Sequence, residues 1–98
     1  MKTFLIVDLE VHDPDAYKGY IEKVPHLIRK HNGKYIIRGG KTEVWEGNWH
    51  PHRLIMLEFP DREQATAFLE DPDYQPLAVI RRNSTTSNAI LVEGYEDN

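Results

Sequence analysis

No cysteine occurs among the 98 residues, which excludes disulfides, thiolate nucleophiles and zinc–thiolate centres and fits a reducing compartment. Long apolar runs are missing too: nothing approaches the roughly 20 residues that a bilayer-spanning helix requires. The opening MKTFLIVDLEV has one lysine and an apolar stretch that Asp8 and Glu10 interrupt before it could act as a secretory signal. A cytoplasmic location without a membrane partner is therefore expected. Basic residues are outnumbered, 12 against 16 acidic ones for a net charge of -4, with no Lys/Arg run longer than two. Nothing here would attract a nucleic-acid polyanion. The glycine spacings of dinucleotide and phosphate loops, the H-E-x-x-H zinc pattern and the G-x-S-x-G serine elbow are all missing. The five histidines single out neither a metal set nor an axial haem ligand. No cofactor and no metal are expected.

What is present is well patterned. Residues 3–11, TFLIVDLEV, are rich in β-branched and apolar side chains and predict a first strand. Asp13 is placed to cap a helix, Pro14 occupies its favoured first position, and Asp15 meets the positive end of the dipole. Tyr17, Ile21, Val24 and Ile28 then recur at helical spacing, Tyr20 and Leu27 widen the stripe, and HNG at 31–33 supplies a stop. Pro25 removes the amide that would bond to Ile21 and is expected to kink or divide this helix. KYIIR, 34–38, is a second strand ended by Gly39-Gly40, with TEVWEG as its bent continuation, and RLIMLEF, 53–59, is a third. Asp61 caps a second helix bearing Ala65, Phe68 and Leu69; EDPDY interrupts it, and a further helical piece runs from about Tyr74 through Leu77, Ala78 and Arg81. NSTTSN, 83–88, reads as a loop or strand lead-in and AILVEG, 89–94, as the fourth strand.

The order β-α-β-β-α-β predicts a single α+β domain over residues 1–98, ferredoxin-like, with two helical segments covering one face of an antiparallel sheet. On the first strand Leu5, Val7, Leu9 and Val11 point one way, and Phe4, Ile6, Asp8 and Glu10 the other. If the first set meets the helices, Phe4 and Ile6 stand on an uncovered apolar face. A chain this short buries only roughly 60–65% of its unfolded surface, so a homodimer through the helix-free sheet face is expected.

The ordered segments DPDAYKGYIEKVP, NGKYIIRGG, VWEGNWHPHRLIMLEFPDREQATAFLEDPDYQPLAVIRR and ILVEG span nearly all of residues 4–94. Together they resemble the DUF1330 family. The resemblance implies the dimeric α/β-barrel superfamily, in which two ferredoxin-like subunits bring their sheets together. Relatives there include cofactor-independent monooxygenases, muconolactone-isomerase-like proteins and haem enzymes, so the likeness implies a fold rather than a reaction. It also marks Tyr74, Arg81 and Ser87 as positions of interest.

Four charged residues, Asp8, Arg38, Glu58 and Glu93, interrupt or end otherwise apolar strands. Acids beside an arginine in an apolar enclosure would titrate abnormally and could move protons on a small ligand. In this reading Asp8 is the base, Arg38 or Arg81 orients an anionic ligand, and Trp49 closes the rim of a cavity between helices and sheet or between two sheets. The plainer alternative makes these charges solvated strand ends or structural ion pairs, Arg81 a favourable helix-end charge, and Trp49 a packing residue against the loop or a partner. The loop GGKTEVWEGNWHPHR, 39–53, is accordingly a hairpin connection first and a site rim second. The expected function is a cofactor-independent isomerase or monooxygenase-like enzyme acting on a small organic acid or aromatic. Its rival is a non-catalytic binding or structural dimer.

Overall fold

The first strand, β1 (Thr3–Val11), has partners on both sides: β3 (Arg53–Phe59) and β4 (Thr85–Glu93), each antiparallel to it. With β2 (Lys34–Arg38) outside β3, the sheet order is β2-β3-β1-β4. This is the computed structural model of the chain, and it describes residues 1–96. The helices α1 (Pro14–Lys30), α2 (Arg62–Glu70) and α3 (Gln75–Ser84) complete a ferredoxin-like order with one sheet face covered. The period of two is visible in burial. Leu5, Val7 and Leu9 of β1 and Ile55, Leu57 and Phe59 of β3 are buried beneath the helices, whereas Phe4, Ile6, Leu54 and Met56 stand half-buried on the free face. Burial of those side chains against Tyr17, Val24, Leu27, Ile28 and Phe68 is the main stabilising term, about 1.5–3 kcal/mol for each large apolar side chain fully removed from water.

The helix ends follow from their sequences. Asp13 and Asp61 accept from the backbone N–H of Ala16 (3.2 Å) and Gln64 (2.8 Å), satisfying donors that no helical carbonyl can reach. At the other end of α1, Asn32 takes the left-handed turn at φ 63°, and the Gly33 N–H closes a 2.8 Å bond to the Ile28 carbonyl. Pro25 does not divide α1, which runs through it as one element with Val24, Leu27 and Ile28 buried on its inner face. Packing along that stripe offsets the one missing backbone bond.

Two expectations need correction. TEVWEG is not a continuation of β2: residues 39–52 form no strand, and Trp45 is 90% exposed. The pairing of β2 with β3 ends at Arg38 and Ile55, and beyond it the Gly39 N–H still bonds to the Leu54 carbonyl at 2.8 Å. Conversely, β4 starts at Thr85 rather than Ala89. The nine-residue β1 supplies it with partners down to Val11↔Thr85, and a polar sequence is compatible with an edge strand whose outer side meets water.

Candidate functional site

Between the helices and the sheet lies an apolar cavity of about 60 Å³, floored by Leu5, Val7 and Leu9 and roofed by Tyr17, Tyr20 and Val24. That space corresponds to roughly two waters at about 30 Å³ each. Three arginines border it: Arg38, Arg53 and Arg81.

Each reaches the cavity for a different reason. Arg38 owes its position to a bulge. Tyr35 pairs with Leu57, but Ile37 pairs with Met56 and Arg38 with Ile55, so the extra residue returns Arg38 to the helix side that Tyr35 already occupies. Its Cζ then lies 4.5 Å from the centre of the Tyr35 ring, a cation–π contact. Arg53 needs no bulge, because it shares the helix-facing period with Ile55 and Leu57 and pairs with Leu9. Its Nε is buried without a hydrogen-bond partner. Gly39, at φ 67°, makes room beside it: a Cβ there would come within 2.5 Å of Arg53 Nη1. Arg81 arrives from the last turn of α3, and its Nη1 donates to Ser87 Oγ at 2.6 Å.

Four tyrosines, at positions 17, 20, 35 and 74, complete the wall. The Tyr20 and Tyr74 hydroxyls are 3.1 Å apart, and the Tyr17 and Tyr20 rings stack at 5.6 Å. Burial raises the Tyr17 phenol above its ordinary value, with Arg53, Arg81 and Arg38 pulling the other way. Burial raises Tyr35 too, and Tyr20 is held strongly up by burial and by Tyr74. These phenols are therefore neutral hydrogen-bond donors near pH 7. Among the described residues, the wall includes no carboxylate and no imidazole. Every ion pair among them is made by a lysine, a histidine or the terminal amine, never by an arginine.

The free sheet face carries a separate polar group. Trp49 Nε1 donates to Asp8 Oδ2 at 2.8 Å, and His52 Nε2 lies 2.8 Å from Glu10 Oε2. Asp8, Glu10, His50, His52, Thr86 and Asn88 line a shallow groove. No three histidines or carboxylates of the described residues are arranged to hold a metal.

The four candidates from the sequence thus fall into two pairs. Arg38 and Arg81 share the inner cavity; Asp8 and Trp49 meet on the opposite face. The anticipated convergence of strand acids on one arginine does not occur. Glu58 sits on the free face near Lys2 (3.6 Å) and Lys34 (3.3 Å), and Glu93 pairs with Thr3 at the far end of β1. Tyr74, Arg81 and Ser87, marked by the family resemblance, do gather at the cavity and its border. Arg53 and Tyr17, Tyr20 and Tyr35 went unmarked. The alternation of RLIMLEF, extended to its first residue, would have found Arg53.

The sequence profile of DUF1330, a domain of unknown function, matches residues 2–95. The chain belongs to the DUF1330 family. No curated protein sequence matches it. Among solved structures, a protein of unknown function from Rhodopseudomonas palustris is similar at a TM-score of 0.72 and 16% identity, covering 98% of this chain and 84% of that one. SnoaB, a cofactor-independent oxygenase from Streptomyces nogalater, is similar at 0.64 and 15%, covering 98% and 95%. A dimeric ferredoxin-like protein of unknown function from Jannaschia sp. CCS1 gives 0.71 and 14%, covering 96% and 100%. At these identities the likeness establishes the fold of this DUF1330 member.

Proposed function

We propose that this DUF1330 protein binds a small organic anion, an acid or an ionised aromatic, in the cavity between helices and sheet, and converts it without a cofactor by isomerase or monooxygenase-like chemistry. The observation that carries the proposal is the set of three arginines bordering an apolar cavity with no carboxylate to match them. Arg53 and Arg81 are half-buried, and guanidinium groups in partly dry surroundings are costly without a counter-charge, which an anionic ligand would supply. The neutral tyrosines add donors, so the charge of a phenolate or enolate that arrives already ionised would be stabilised there. Because the described wall offers no carboxylate or imidazole base, the substrate has to be acidic enough to arrive ionised. Similarity to a cofactor-independent oxygenase supports the monooxygenase-like form of that chemistry, in which the ionised substrate would give up electrons and dioxygen would accept them. The same lack of a base favours the rival reading, a binder without turnover. Asp8 could act as a base only for a ligand in the groove on the other face, so Asp8→Asn should leave binding in the arginine cavity intact.

A thermal-shift panel of small aliphatic and aromatic acids, each beside its methyl ester, tests the reading. An acid at a hundred times its Kd adds about 2.7 kcal/mol, a rise in Tm of roughly 10 °C or more for a domain this size. Equal shifts from acids and esters would sink the proposal. Oxygen uptake and product NMR with the acids that bind then separate an enzyme from a binder.

The reading includes a homodimer through the helix-free sheet face. Phe4, Ile6 and Met56 stand half-buried there, with Ile90 58% and Val92 40% exposed beside them. A second copy would cover that apolar face.

A further inference from the structure

We infer that the ligand of the arginine cavity is a dianion, a short dicarboxylate or an acid carrying a second ionised group, held at two separate points. The inference rests on the organic-anion reading and adds a substrate class to it.

The sheet register sets the two points apart. Leu9 pairs with Arg53 on one side and with Ser87 on the other, so these two positions lie two strand spacings apart, on the order of 10 Å. Their guanidinium partners do not lean together to close that gap. Arg53 turns towards β2, where its Cζ comes within 2.8 Å of the place a Gly39 Cβ would occupy. Arg81 is tied to β4 through its 2.6 Å bond to Ser87 Oγ. Between them lies Leu9, only 2% exposed, as an apolar floor, with Tyr17 in the wall of the same cavity.

One carboxylate engages one guanidinium fork well, through two parallel bonds of about 2.8 Å. A monoanion at Arg53 would leave Arg81 with only a neutral hydroxyl, and a monoanion at Arg81 would leave Arg53 Nε orphaned. Two acid groups joined by a short apolar body satisfy both ends and place the body over Leu9. Arg38, beside Arg53 on the helix side of β2, adds positive charge to the first end.

The experiment uses matched pairs: butyrate with succinate, and benzoate with isophthalate, measured by calorimetry on the full chain. Within at least one pair the diacid should bind ten times more tightly or better. Arg81→Gln should bring that ratio close to one, whereas Arg53→Gln should weaken monoacid and diacid alike. Arg81→Lys, which keeps the charge but not the fork, should recover part of the ratio and guards against a variant that merely misfolds. Equal binding of monoacid and diacid by the wild type overturns the dianion inference while leaving the organic-anion reading intact. Failure of all four compounds to bind overturns both.

Discussion

At the scale of single residues, two glycines do different work. Gly39 combines a left-handed φ of 67° with a guanidinium packed where its Cβ would be. Gly39→Ala should cost about 1–2 kcal/mol of stability from the backbone alone, readable by urea denaturation. It should also push Arg53 aside and weaken acid binding about tenfold, the loss expected when a charged hydrogen bond is disturbed. Unchanged acid affinity would separate Arg53 from the ligand. Gly33 is a matter of space, since Asn32 already makes the left-handed turn. A Cβ on Gly33 would lie 2.5 Å from Phe59 Cε1 and 2.9 Å from Ile28 Cγ2, inside the core. Gly33→Ala should therefore destabilise by about 1–3 kcal/mol through overpacking, without altering ligand affinity per folded molecule.

At the scale of elements, Asp71 joins all three helices. It ends α2, its carbonyl accepts from the Tyr74 N–H at the start of α3, and its Oδ2 receives Lys30 Nζ and His31 Nε2, both at 2.8 Å, from the end of α1. Lys30 first, then His31 and the Asp73 N–H, hold its carboxyl well below the usual 3.8. A folded-state value below the unfolded one contributes stability that is complete above about pH 4 and disappears as pH falls through the lowered value. Asp71→Asn should therefore melt several degrees lower than the wild type at neutral pH, with the gap narrowing as the solution is acidified below about pH 4. A constant gap across that range would show that the ionised carboxylate contributes nothing. The helices it joins roof the cavity, so the corner positions Tyr74 in the cavity wall as well as stabilising the fold.

At the scale of the whole molecule, the sheet has one covered face and one free one. Ile90 is 58% exposed in the protomer, so a charge there costs the isolated subunit little while it would be desolvated in a sheet-to-sheet interface. Sedimentation equilibrium at micromolar concentration should show a dimer for the wild type and a monomer with an unchanged circular-dichroism spectrum for Ile90→Glu. A wild-type monomer would reject the homodimer. Because the arginine cavity and the free face lie on opposite sides of one sheet, acid binding should survive in the monomeric variant with at most a modest loss.

The sequence by itself determined the elements and their faces, because strand alternation and helical spacing are local and strongly repeated. Strands 3–11, 34–38 and 53–59 have those limits in the structure, and Leu5, Val7 and Leu9 face the helices as their period requires. The cap at Asp61 was equally legible, since it depends only on residues three apart. What lay beyond the sequence was any feature set by a partner strand. The bulge that returns Arg38 to the helix side exists only in the pairing of β2 with β3. The early start of β4 depends on β1 being long enough to meet it. Asp8 faces away from Leu9, as the strand period requires, but its separation from Arg38 is not legible in the sequence, since a side chain's face follows from its own strand whereas the company it keeps follows from its neighbours. Only the tertiary structure decided which charges meet, because the arginines of the cavity come from β2, β3 and α3 and no local pattern records the distances among them.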